Sequence, residues 1–126
     1  MSYLWVAIGS ALGGMARYAS AGIEHRWPGA AFPWSTLLVN VTGSLAIGAL
    51  AFAIPADGRA LSENARLLLM VGICGGFTTF SAFSLETLNL ARSGAWGMAA
   101  GYVLGSVVLC LLAVAAGYFG ATALAR

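Results

Sequence analysis

Thr36, Asn40 and Ser44 recur at every fourth position of an otherwise apolar stretch, so a helix carries them as one stripe. Burying an amide in hydrocarbon without partners costs several kcal/mol, so Asn40 either bonds a neighbouring helix or faces a polar path. Tyr102, Ser106 and Cys110 repeat the spacing and form a second, weakly polar stripe that could line the same path. Phe80 and Phe83 stand three residues apart, interleaved with Thr79, Ser81 and Ser84. A phenylalanine ring has a positive edge and a negative face. Edges beside hydroxyl and amide donors would favour an anion, and faces a cation; ring orientation is not encoded in the spacing. Isolated serine and threonine hydroxyls bond the carbonyl one turn back, and phenylalanines at helical spacing are most often core or lipid-facing. What sets these residues apart is that two stripes accompany a weak point in a helix.

That weak point is Gly75-Gly76-Phe77-Thr78-Thr79-Phe80-Ser81-Ala82-Phe83-Ser84, inside an apolar run from Leu67 to about Leu90. Paired glycines carry an entropic cost in a helix and paired threonines lose rotamer freedom, so the sequence predicts a break near the middle of this helix. Backbone groups freed at membrane depth are tolerated only where the chain is buried in protein, lines a watery path or ligates an ion.

The chain as a whole supplies the membrane. Of its 126 residues 60% are hydrophobic and 8% charged, and the mean hydropathy is +0.89, which leaves too few polar groups to cover a soluble globule. Four segments reach the roughly 20 apolar residues of a span: 3–22, 34–54, 67–90 and 96–123. They fill a single transmembrane domain, 1–126, and Trp5, Trp27, Trp34 and Trp96 sit near their ends, at headgroup level. The separators carry Trp27-Pro28-Gly29, Pro55-Ala56-Asp57-Gly58-Arg59 and Arg92-Ser93-Gly94. Asp57–Arg66, with Glu63 and Arg66 at helical spacing, could form a short interfacial helix. The amino terminus lacks a basic region, which argues against a cleaved signal peptide.

All six basic residues are arginines, scattered without a cluster that would read as a nucleic-acid footprint. Four spans place Arg59, Arg66 and Arg126 on one side of the membrane and Arg17, Arg26 and Arg92 on the other. This three-against-three balance gives the positive-inside rule nothing to act on, so the chain should insert in both orientations and pair with its own inverted copy. Glycines four residues apart, at Gly9 and Gly13, at Gly72 and Gly76, and at Gly97, Gly101 and Gly105, give faces for close helix approach. At least one such face should serve packing within the chain and one a subunit interface.

Proton-coupled exporters need an ionisable group within the membrane. Glu24, Asp57 and Glu63 fall in connections and Glu86 near the end of the third span, so spans one, two and four lack a mid-membrane carboxylate. Arg17 offers a positive charge at a pore mouth or snorkels to the headgroups. His25 sits in a connection without a nucleophile or carboxylate arranged beside it, and no catalytic set is visible. Cys74 and Cys110 lack metal-ligand spacing and read as small buried residues.

Gly13-Gly14-Met15-Ala16-Arg17-Tyr18, Asn40-Val41-Thr42-Gly43-Ser44 and the Gly75–Ser84 stretch together resemble the signature set of the Fluc (CrcB-type) fluoride channels. Length, span number, arginine balance and motif order agree over the whole chain. The resemblance implies an all-α membrane protein, an inverted (antiparallel) dual-topology homodimer in the bacterial inner or plasma membrane. It implies that this dimer passes fluoride passively out of the cytoplasm and so relieves fluoride toxicity. Carried over by motif, Asn40 would hold fluoride through its amide and Phe80 and Phe83 would present ring edges. Thr36, Ser81, Tyr102 and Ser106 would continue the track, with Arg17 at its mouth. Backbone carbonyls of Gly75 and Thr78 from both subunits would hold a structural sodium ion that is not transported. Cys110 stands where the track would carry a hydroxyl. Fluoride, a second copy and the lipid bilayer are the implied partners, with neither nucleic acid nor enzymatic chemistry. The competing class is a small multidrug-type proton-coupled exporter, which would depend on Glu86; a non-transporting assembly subunit would leave the polar stripes without a purpose.

Overall fold

In the computed structural model, which describes residues 1–22, 31–52 and 61–125, the apolar runs fold as helices, and no strand occurs among these residues. Helix α1 spans Ser2–Ala21 and α2 spans Trp34–Phe52. The third run is a 30-residue rod, Glu63–Arg92. It is built from α3 (Glu63–Arg66), a π-helical segment (Leu67–Cys74), α4 (Gly75–Phe77) and α5 (Phe80–Arg92). Helix α6 spans Trp96–Leu124. By length and composition α2, the Glu63–Arg92 rod and α6 can each cross a membrane. The 20 residues of α1 have the length, but glycines, serines and Arg17 dilute their apolarity.

The expected interfacial helix is not a separate element where it is described. Ser62 Oγ accepts the Ala65 N–H at 3.2 Å, which starts α3 at Glu63, and with no breaker between Arg66 and Leu67 that turn runs directly into the third rod. The rest of that segment, and the sequence readings that fall on Glu24, His25, Arg26, Trp27, Asp57, Arg59 and Arg126, lie outside the described residues.

The break is sharper and later than the sequence suggests. Gly75 and Gly76 are helical, and the extended residues are Thr78 (φ −77°, ψ 157°) and Thr79 (φ −151°, ψ 119°). The glycines serve packing instead. A Cβ on Gly76 would stand 2.7 Å from the Ser10 carbonyl oxygen, and one on Gly13 would stand 2.7 Å from the Phe77 nitrogen. Gly9 and Gly72 meet in the same way, so two of the three glycine faces read from the sequence interlock α1 with the third rod. A further pair, Gly48 and Gly117, brings α2 and α6 together backbone to backbone. Around Gly97, Gly101 and Gly105 a Cβ would meet nothing within 4 Å. That face is open.

Helix α5 ends in a Schellman turn: the Gly94 N–H bonds the Ala91 carbonyl and the Ala95 N–H bonds that of Leu90, with Gly94 at φ +84°. A side chain in that left-handed conformation costs about 1 to 2 kcal/mol. Gly94→Val is therefore expected to lower the thermal midpoint of the purified protein; an unchanged midpoint would show that the turn is not needed.

Candidate functional site

The site begins with how the break is held. Asn40 on α2 reaches across to Thr79: its Oδ1 accepts the Thr79 N–H at 2.7 Å and its Nδ2 donates to the Thr79 carbonyl at 3.0 Å. These two bonds fix which way the amide points, and they satisfy the residue at which the third rod is least helical. Thr79 Oγ1 in turn caps α5 by accepting the Ala82 N–H at 3.1 Å. An unbroken helix would aim the Thr79 N–H at the Gly75 carbonyl and the Ala82 N–H at the Thr78 carbonyl. Both donors are diverted, so the Gly75 and Thr78 carbonyls lose the partners that helical continuation would give them.

Two cavities meet at Thr79. One, about 320 Å³, is lined by Asn40, Gly75, Thr78, Phe83 and Ser106 among others, with Phe80, Ser44, Cys74 and Cys110 also on its wall. The other, about 570 Å³, is lined by Arg17, Tyr18, Thr36 and Glu86. Thr79 lines both. The first stripe read from the sequence thus spans the junction, with Thr36 on one side and Asn40 and Ser44 on the other. Arg17, near the end of α1, faces the larger cavity rather than standing apart from the polar groups.

Phe80 and Phe83 are tilted by 50° with ring centroids 5.3 Å apart. Phe80 is 78% exposed, whereas Phe83 is buried, its ring centroid 5.0 Å from that of Tyr102 and tilted by 52°. Ser81 is exposed and its hydroxyl lies 3.3 Å from that of Thr79. Ser106 is buried, and its Oγ is the one buried side-chain polar atom without a partner among the described residues. Other hydroxyls behave as short-range chemistry demands: Thr42, Ser84 and Thr87 bond carbonyls one turn back.

The residue that sequence reading leaves out of the site is Glu86. Its carboxylate receives Thr36 Oγ1 at 2.7 Å on one oxygen and Tyr102 OH at 2.6 Å on the other. Tyr102 is fully buried, and with Glu86 it ties α5 to α6. Proximity in sequence to the end of the third span hid this role. The signal was present in the register: Glu86 follows Phe83 by three residues, which places the two on one face of α5, the helix that Thr79 caps. As a consequence Thr36 and Tyr102 direct their protons at Glu86. The donors left on the wall of the smaller cavity include the Ser106 and Ser44 hydroxyls and the second N–H of Asn40, beside the rings of Phe80 and Phe83.

A chain that is helical throughout its described residues, with three rods long and apolar enough to cross a membrane, one of them broken, and a cavity on either side of the break, has the build of proteins that move small solutes or ions across membranes. The family follows from comparison: the family model described as CrcB-like protein, Camphor Resistance (CrcB) matches residues 4–118, and the chain belongs to that family. A Methylocella silvestris protein named fluoride-specific ion channel FluC is 52% identical over 125 residues, covering 98% of this chain and 95% of its own length. Proteins of the same name from Opitutus terrae and Paramagnetospirillum magneticum are each 50% identical. The first covers 97% of this chain and 93% of itself, the second 100% and 99%. These are names of channels and not of enzymes.

Proposed function

We propose that the chain is a fluoride-selective channel that lets fluoride leave the cytoplasm passively. The observation that carries this reading is the smaller cavity, where an amide N–H, an uncommitted buried hydroxyl and two phenylalanine rings converge without a fixed full charge among them. Fluoride is small and tightly hydrated. Entry requires close, directed donors to replace water, and departure requires that nothing hold the ion too strongly. Arg17 in the larger cavity concentrates anions at the mouth. Past it the ion meets the Thr36 hydroxyl, for whose proton it competes with Glu86, with the buried Tyr102 hydroxyl behind on the other carboxylate oxygen, and then Asn40 and the rings of Phe80 and Phe83. Ser81 and Ser106 extend the track.

We place the channel in an inverted dual-topology homodimer in the bacterial inner membrane, with α1 as the fourth span. Phe80 exposed at the cavity rim and the open Gly97–Gly105 face of α6 support a second copy seated against this side. The Gly75 and Thr78 carbonyls, stripped of helical donors, fit a monovalent cation, and with their counterparts they would hold a structural sodium ion. When bound, that ion would supply a fixed positive charge pinning the two breaks together. Planar-bilayer recording with fluoride on one side and chloride on the other tests the reading: the reversal potential should follow the fluoride gradient, and equal permeability would overturn it.

Glu86 separates this reading from proton-coupled export. Glu86→Gln keeps one oxygen to accept a hydroxyl and removes the charge, a change of about 1 kcal/mol for each of the two bonds, so fluoride efflux should stay within about thirtyfold of wild type. It should also be indifferent to an imposed proton gradient. Efflux that needs the carboxylate and follows the proton gradient would favour the exporter.

A further inference from the structure

Both cysteines of the chain lie on the wall of the smaller cavity, reached from different elements: Cys74 ends the π-helical segment and Cys110 stands on α6. They are not equivalent. Cys74 is 5% exposed, whereas Cys110 is only half-buried. One turn before Cys110 on the same face of α6, Ser106 is 6% exposed and its hydroxyl has no partner among the described residues, an unspent polar group at the same wall. Apart from the two thiols the cavity presents an amide, hydroxyls, backbone and apolar side chains. A thiol is the softest ligand there and selects soft metal ions over the hard cations that oxygen ligands suit.

We propose that Cys110 is a binding site for a soft, thiophilic metal ion of the mercury(II) type, with Ser106 Oγ as a weak second donor, and that metal held there obstructs the cavity. The obstruction rests on the proposed channel function; the metal site does not. Neutral mercuric chloride enters lipid, and the exchange is balanced without any redox partner: the Cys110 S–H bond and one Hg–Cl bond break, an S–Hg bond forms, and a proton and a chloride ion leave. Cys110 then carries a large, heavily bound group at the wall that Asn40, Phe83 and Ser106 share. A hydroxyl at that position would take no such ion.

The test treats the purified, reconstituted protein with mercuric chloride and reads two quantities, intact mass with peptide mapping of the adduct, and fluoride efflux with and without metal. Wild type and C74S should each gain one mercury at Cys110 and lose most of their efflux, with recovery on adding excess dithiothreitol. C110S should gain none, and its efflux, whatever its own rate, should be unaffected by metal. Should C110S fail to assemble, mapping of the wild-type adduct decides the site by itself. An adduct that maps to Cys74, or one that disappears in C74S, would overturn the assignment. Mercury bound at Cys110 with undiminished efflux would overturn the obstruction. Vesicles that show no efflux before metal is added would count against the channel reading, and the mass would still decide whether Cys110 is the site.

Discussion

Asn40→Asp is expected to reduce fluoride efflux to the leak of protein-free vesicles while the protein still purifies as a folded species. Aspartate retains an oxygen for the Thr79 N–H, now bonded at 2.7 Å, but turns a second oxygen toward the Thr79 carbonyl, where the amide now donates at 3.0 Å. The clamp on the break is half lost, at a cost of about 1 to 3 kcal/mol for an unpaired buried group. The larger effect is on the ion. Aspartate removes the free N–H that points to the cavity and puts a negative charge in its place. At about 4 Å, with an effective dielectric constant of about 20, like charges repel by about 4 kcal/mol, a factor of roughly a thousand in rate. Asn40→Ala separates the two contributions, since it removes clamp and donor without adding charge. Its efflux should lie between wild type and Asn40→Asp, and its thermal midpoint should be the lowest of the three. Efflux from Asn40→Asp comparable to wild type would mean that the ion does not pass this cavity.

Gly13→Leu should have the largest effect on folding. The Cβ alone would be driven against the backbone of Ile73 and Phe77, and backbone cannot swing aside as a flexible side chain can. Overpacking in a well-packed core costs about 1 to 3 kcal/mol, and more where only backbone can move. In lipid the consequence is greater than in water, because close packing rather than water exclusion holds these helices together. Gly13→Leu should therefore reach the membrane but yield little monodisperse protein after extraction. Gly101→Leu, on the open face of α6, should leave the single chain folded and act on assembly. Equal recovery of monodisperse protein from Gly13→Leu and wild type would contradict the interlock of α1 with the third rod.

What the sequence made legible follows from physics that acts locally. Apolar run length marks the helices, and the predicted ends at 34, 90 and 96 lie within two residues of those found. The paired threonines do break the third helix. The paired glycines do not, because propensity is a local preference and here packing against Ser10 overrides it. The stripes on α2 and α6 are real, but spacing alone could not say that Thr36 and Tyr102 direct their protons at Glu86, since that depends on the rotation of α5 about its axis. Nor could spacing separate the glycine faces. Gly72 and Gly97 sit in similar local patterns, yet one meets Gly9 and the other meets nothing within 4 Å. Gly48 and Gly117, far apart in sequence, become visible as a pair only when α2 and α6 are laid together.

The most direct measurement is fluoride efflux from proteoliposomes loaded with potassium fluoride and started with valinomycin, beside identical vesicles loaded with potassium chloride. Rapid fluoride release with little chloride release, abolished in Asn40→Asp, is the predicted result. Well-folded protein that releases no fluoride, or that releases both anions alike, would contradict the account.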